Sequence, residues 1–121
     1  MTRIEGCRIL VVEDEPIIAM TAEDMLGELG CAVARSVTTL ADALAAAERD
    51  DYDAAMLDIN LNGVDSLPVA ALMRRLGRPF IFTTGYGASG RGADYEDVPL
   101  VTKPYQLADL EEALARAMAR P

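Results

Sequence analysis

Residues 8–16 read RILVVEDEP, a short run rich in β-branched residues that meets three consecutive acids and then a proline. A run of this length without polar alternation suits a parallel strand covered on both faces, here Arg8 to Val12, and Pro16 suits the first turn of a helix. In that helix Ile18, Ala22, Met25, Leu26 and Leu29 recur at the spacing of one buried face, and Gly30 is placed to close it.

The same alternation continues along the chain. Ala32 to Val37 reads as a second strand, and Thr38 or Thr39 can cap a helix whose Leu40, Leu44 and Ala47 share a face. Tyr52 to Leu57 reads as a third strand that ends at Asp58, followed by the loop formers Asn60, Asn62 and Gly63. Asp65 or Ser66 can cap a helix through Leu76 with Gly77 behind it, and Pro79 to Thr84 reads as a fourth strand. The glycine-rich segment from Gly85 to Asp97 has little apolar periodicity, so any helix there should be short, late or mobile. Leu100 to Thr102 is a brief fifth strand, and the last helix aligns Leu107, Leu110, Leu114, Ala117 and Met118. Five strands alternating with helices predict an α/β domain with a parallel sheet, both faces covered because crossovers are right-handed.

The chain has 121 residues, which fits one domain over residues 1–121, and no output domain is expected. Eleven basic residues against 20 acidic ones give a formal charge of −9, which repels phosphate backbones and anionic membrane surfaces. No nucleic-acid or membrane partner is therefore expected. The apolar runs are too short to span a bilayer and no signal pattern precedes them, so the expected location is the cytoplasm. Cys7 and Cys31 lack CxxC spacing and are expected as reduced, half-buried thiols at the starts of neighbouring strands. Histidine is absent, which removes the usual general base and any internal phosphohistidine.

In open α/β sheets ligands gather outside the carboxyl ends of the strands. The predicted exits carry Glu13 and Asp14, then Asp58, then Thr83 and Thr84, then Lys103. Carboxylates brought within a few ångströms repel by about 4 kcal/mol per close pair at an effective dielectric of about 20, so positive charge must accompany them. Lys103 supplies part of it, and Mg²⁺ suits the rest, with Mn²⁺ as the substitute, because such ions prefer hard oxygen ligands and bridge to phosphate. An aspartate can attack phosphorus while metal, lysine and hydroxyl hold the equatorial oxygens, and Asp58, alone at the central exit, is the natural nucleophile. Adjacent strand residues face opposite sides, so Thr83 and Thr84 cannot both point at the site; Thr84 is favoured, with Thr83 as a core or opposite-face residue.

VVEDEP (11–16), MLDINLNG (56–63), FIFTTG (80–85) and VTKPY (101–105), in this order and spacing, resemble the receiver domain of two-component response regulators across essentially the whole chain. The resemblance implies a flavodoxin-like, doubly wound five-stranded sheet of order 2-1-3-4-5. It implies Asp58 as phosphoacceptor, Asp14 as direct metal ligand, Glu13 as a ligand through water and Asn60 through its backbone carbonyl. Thr84 and Lys103 would contact the phosphoryl oxygens, and the Lys103–Pro104 bond would be cis. Its partners would be a sensor histidine kinase or a histidine phosphotransferase, and a downstream protein target. Any catalysis would be limited to its own Mg²⁺-dependent phosphotransfer and aspartyl-phosphate hydrolysis.

PFIFTTGYG (79–87) also resembles the motif of the FAT GUY receivers, known mainly as single-domain regulators of alphaproteobacteria, with Thr83 in place of their usual alanine. Leu100 fills the place of the switch aromatic of ordinary receivers, which leaves Tyr86 as a candidate substitute.

Competing readings are weaker. A pseudo-receiver that binds partners without phosphorylation is disfavoured because the acidic and lysine positions are filled. A phosphatase of the haloacid dehalogenase kind would carry a second aspartate where Asn60 stands. Gly85, Gly87 and Gly90 match GxGxxG, yet no apolar stripe follows to build the helix that a dinucleotide site requires.

Overall fold

The computed structural model describes residues 4–85 and 92–119. Its elements are β1 (Arg8–Val12), α1 (Pro16–Glu28), β2 (Ala32–Val37), α2 (Leu40–Arg49), β3 (Ala54–Asp58), β4 (Asn60–Leu61), β5 (Val64–Asp65), α3 (Leu67–Leu76), β6 (Phe80–Thr84), a 3₁₀ turn at Ala93–Tyr95, β7 (Leu100–Thr102) and α4 (Leu107–Ala119). The main sheet is parallel with order β2-β1-β3-β6-β7. Counting only its own strands, this is the 2-1-3-4-5 order of a flavodoxin-like fold.

Strand alternation sorts the core into two layers. Leu10, Val12, Ala55, Leu57, Phe80 and Phe82 face α2 and α3, where they meet Ala43, Ala47, Val69 and Met73. Ile9, Val11, Ala54, Met56 and Ile81 face α1 and α4, where they meet Ala22, Leu26, Leu110 and Leu114. Both sides of β1, β3 and β6 are thus buried, which is why their sequences read as unbroken apolar runs. Each fully buried Leu, Ile or Phe contributes about 1.5–3 kcal/mol.

Local chemistry sets the helix limits. The Thr39 hydroxyl accepts from the Asp42 amide and caps α2, and Gly77 ends α3 in the left-handed conformation at φ 72°. At the start of α3 the Asp65 carboxylate accepts from the Leu67 amide, whereas the Ser66 side chain makes no cap bond. Pro16 opens α1 as expected.

Three features differ from the pattern reading. The ladder of β3 begins at Ala54, while Tyr52 turns its hydroxyl to the Ala47 carbonyl. Leu107 begins α4 but stays 37% exposed, outside the buried face of Leu110, Ala113, Leu114 and Ala117. The Asn60–Asp65 stretch, expected as a loop, closes into an antiparallel hairpin of β4 and β5. Asn62 and Gly63 form its turn with φ of 55° and 86°, the left-handed pair that a two-residue hairpin favours. The helical turn after β6 is short and late, limited among the described residues to Ala93–Tyr95. No helix among the described residues is long and apolar enough to cross a membrane.

Candidate functional site

The carboxyl ends of the strands meet at one edge, and the alternation that builds the core also aims the charges. Glu13 continues β1 through its amide bond to the Val37 carbonyl and so lies on the face of Ile9 and Val11. Asp58 follows Ala54 and Met56 on that same face at the end of β3. Lys103 directly follows β7, its amide bonded to the Thr84 carbonyl at 2.8 Å. Its ammonium then lies 2.6 Å from Glu13 Oε1 and 2.9 Å from Asp58 Oδ2. The Lys103–Pro104 bond is cis.

Glu13, Asp14 and Asp58 each present a carboxylate oxygen within 4.8 Å of the others. Glu13 and Asp58 are buried, at 1% and 5% exposure, and Asp14 is half-buried at the surface of the cluster. The Asn60 backbone N–H donates to Asp58 Oδ1 at 3.3 Å, and the Glu15 backbone N–H to Glu13 Oε2 at 3.2 Å. Thr84 lines the same cleft, a cavity of about 720 Å³ bounded also by Asn60, Gly85 and Lys103. Ile18 and Met25 of α1 with Pro104 and Tyr105 add apolar surface to its lining.

Burial dominates the titration of these groups. It pushes Glu13 up to about 7 against the opposing hydrogen bond from Lys103, with the Asp58 charge adding to the rise. Burial also raises Asp58, and Lys103 again opposes it. The Lys103 ammonium would be lowered by burial, but its hydrogen bonds to Glu13 and Asp58 reverse the sign and hold it above its ordinary value. With all groups ionised, three carboxylates face one ammonium, so the cluster keeps two negative charges in a poorly solvated place. That charge and the hard oxygen donors fit a divalent cation such as Mg²⁺.

Every residue singled out in the sequence, Glu13, Asp14, Asp58, Asn60, Thr84 and Lys103, is at this edge. Thr83 is a register partner of Asp58 but is buried below the cleft, where its side chain bonds the Tyr105 hydroxyl. Tyr105 was not singled out by pattern, yet its hydroxyl also lies 3.5 Å from Glu13 Oε1. Burial, offset in part by Thr83, pushes that phenol up to about 12. The only sequence signal for it is its place after the Lys-Pro step. Tyr86 and positions 87–91 lie outside the described residues.

The fold and this acidic, lysine-bearing edge define a flavodoxin-like domain with a cation-binding cleft at the switch point of its sheet. The chain belongs to the response regulator receiver domain family, whose profile matches residues 9–115. It is 38% identical over 131 aligned positions to the transcriptional regulatory protein TcrA of Mycobacterium tuberculosis, covering 98% of this chain and 48% of TcrA. The chain thus spans about half the length of that curated relative. Among solved structures it is similar to SdrG of Sphingomonas melonis Fr1, at TM-score 0.84 and 39% identity, covering 94% of this chain and 98% of SdrG. It is also similar to the receiver domain of the sensor histidine kinase PA1611 of Pseudomonas aeruginosa PAO1, solved with magnesium coordinated in the active-site cleft. That match has a TM-score of 0.79 and 28% identity over 95% of this chain and 99% of the other.

Proposed function

We propose that this receiver domain is a phosphorylation switch in which Asp58 accepts a phosphoryl group from the phosphohistidine of a sensor kinase or a histidine phosphotransferase. The observation that carries this reading is the convergence of Glu13, Asp14, Asp58 and Lys103 from three separate strand exits on one cleft. A carboxylate oxygen of Asp58 attacks phosphorus, the P–N bond of the donor breaks, and the released imidazole nitrogen takes up a proton. Lys103 moves from pairing Asp58 to pairing a phosphoryl oxygen, and the Thr84 hydroxyl holds another. Water attacking the phosphorus later breaks the new P–O bond and regenerates the Asp58 carboxylate.

Asp14 and Asp58 would hold Mg²⁺ or Mn²⁺ directly, Asn60 through its backbone carbonyl and Glu13 through water. When bound, such an ion would neutralise the two excess charges and so remove the repulsion that an incoming phosphoryl group would meet. The likeness to SdrG, covered over 98% of its length, and the resemblance of 79–87 to the FAT GUY motif support a single-domain role in which the signal passes on by protein contact or by onward phosphotransfer.

The test is incubation with Mg²⁺ and acetyl phosphate, read by intact mass. One base-labile, acid-stable phosphoryl adduct is expected, absent in Asp58→Asn. An unmodified wild-type protein would instead favour a partner-binding module without phosphorylation.

A further inference from the structure

The opposite end of the sheet holds two free, half-buried cysteines. Cys7 immediately precedes β1 and Cys31 immediately precedes β2, and these strands are parallel neighbours in which Arg8 pairs with Ala32. Two backbone hydrogen bonds bracket the cysteines. Gly6 N–H donates to the Gly30 carbonyl at 2.8 Å on one side, and Ala32 N–H donates to the Cys7 carbonyl at 2.9 Å on the other.

Matched positions on neighbouring strands project to the same face at about 4.8 Å spacing, inside the Cα separation of about 4.4–6.8 Å that a disulfide needs. Both thiols do share a face, since both pack against the α1–α4 cluster that contains Ile4 and Leu26. Both are partly exposed, so a small reagent can reach them.

We propose that Cys7 and Cys31 are an oxidisable dithiol that closes into an intramolecular disulfide, with hydrogen peroxide or a low-molecular-weight disulfide as the oxidant. With peroxide, the Cys7 sulfur attacks one oxygen, the O–O bond breaks, and Cys7 sulfenic acid and water form. The Cys31 sulfur then attacks the Cys7 sulfur, the S–O bond breaks, and the departing hydroxide takes the Cys31 proton as a second water. Two electrons pass from the thiols to the peroxide, and the atoms balance.

Cys7 is the first to react because Cys31 is held back twice. The Cys31 thiol donates to the Ile4 carbonyl at 3.2 Å, and burial, with Cys7 and Asp53 nearby, pushes it up to about 11. Burial and then Asp53 raise Cys7 as well, though without the hydrogen bond that holds Cys31, so its reaction with oxidant is slow at neutral pH. The closed loop runs from residue 7 to residue 31 and holds all of β1 and α1. Its staple sits at the other end of β1 from Glu13, so the acidic cleft keeps its residues.

The test uses the whole chain, reduced, desalted and treated with hydrogen peroxide or oxidised glutathione before free thiols are alkylated. The expected product is a monomer lighter by two hydrogen atoms, with Cys7 and Cys31 in one cross-linked peptide, reversed by dithiothreitol and unfolding at higher urea than the reduced form. Cys31→Ser should stop at a Cys7 sulfenic acid that dimedone traps. Intact thiols, only mixed disulfides with glutathione, or only intermolecular dimers in the wild-type chain would overturn the proposal, whether or not the variant folds.

Discussion

The Lys103 ammonium lies 2.6 Å from Glu13, a carboxylate that is 1% exposed and whose other oxygen is bonded to the Glu15 amide. The lysine therefore serves the fold as well as the chemistry, since it is the positive charge that two buried carboxylates share. Removing one partner of such a set leaves uncompensated buried charge.

Lys103→Met should thus destabilise the protein by about 2–3 kcal/mol in urea unfolding at neutral pH without divalent cations, less than for a fully dry pair because the cleft is open. Addition of Mg²⁺ should recover part of the loss. Unchanged stability would mean that the pair contributes nothing net.

The two excess charges of the cluster give Mg²⁺ a thermodynamic signature. At 100 times its dissociation constant it should stabilise the wild-type chain by about 2.7 kcal/mol, since only the folded state assembles the carboxylates. Asp14→Asn should shift the Mg²⁺ titration to higher concentration. A midpoint of unfolding indifferent to Mg²⁺ would contradict the site.

Arg74 of α3 holds the segment from Asp94 to Asp97. Its guanidinium lies 4.8 Å from the Tyr95 ring centroid, donates to the Asp94 carbonyl at 2.8 Å and pairs with Asp97 at 3.0 Å. Tyr95 in turn packs edge-on against Phe80 and Phe82. These contacts are partly exposed, so Arg74→Ala should cost only about 1 kcal/mol globally. The local effect should be larger, read as faster hydrogen exchange of the Val98 amide, which bonds the Tyr95 carbonyl. Exchange at Val98 equal to wild type would refute the clamp.

Cys31 gives a pH dependence in the reduced protein. Its thiol titrates at about 11, above the ordinary 9.0, because burial disfavours the thiolate. The folded state then holds the proton more tightly than the unfolded one, so this contribution is intact below pH 9 and is lost as pH rises towards 11. Iodoacetamide modification of Cys31 in the native protein should rise with pH along the same displaced curve. A rate that levels off near pH 9 would show an ordinary thiol.

Much of this molecule is local and therefore legible. The limits of β1 and β7 follow from short apolar runs and their breakers, and the start of α1 from Pro16. The hairpin at 60–65 was hidden because its strands are two residues long, too short for a period, although Asn62-Gly63 carried the turn signal. In the site, the acids and lysine were visible as residues at strand exits, whereas the Thr83 and Glu13 contacts of Tyr105 were not.

The amino-acid order alone determined which segments pair apolar periodicity with charged ends, because helix and strand periods are properties of neighbours along the chain. Strand order and register decided the rest. They bring Lys103 to Asp58 across 45 positions and Tyr105 to Glu13 across 92, and they set Cys7 beside Cys31. Such contacts depend on how separate elements stack, and no local rule of composition or spacing specifies that.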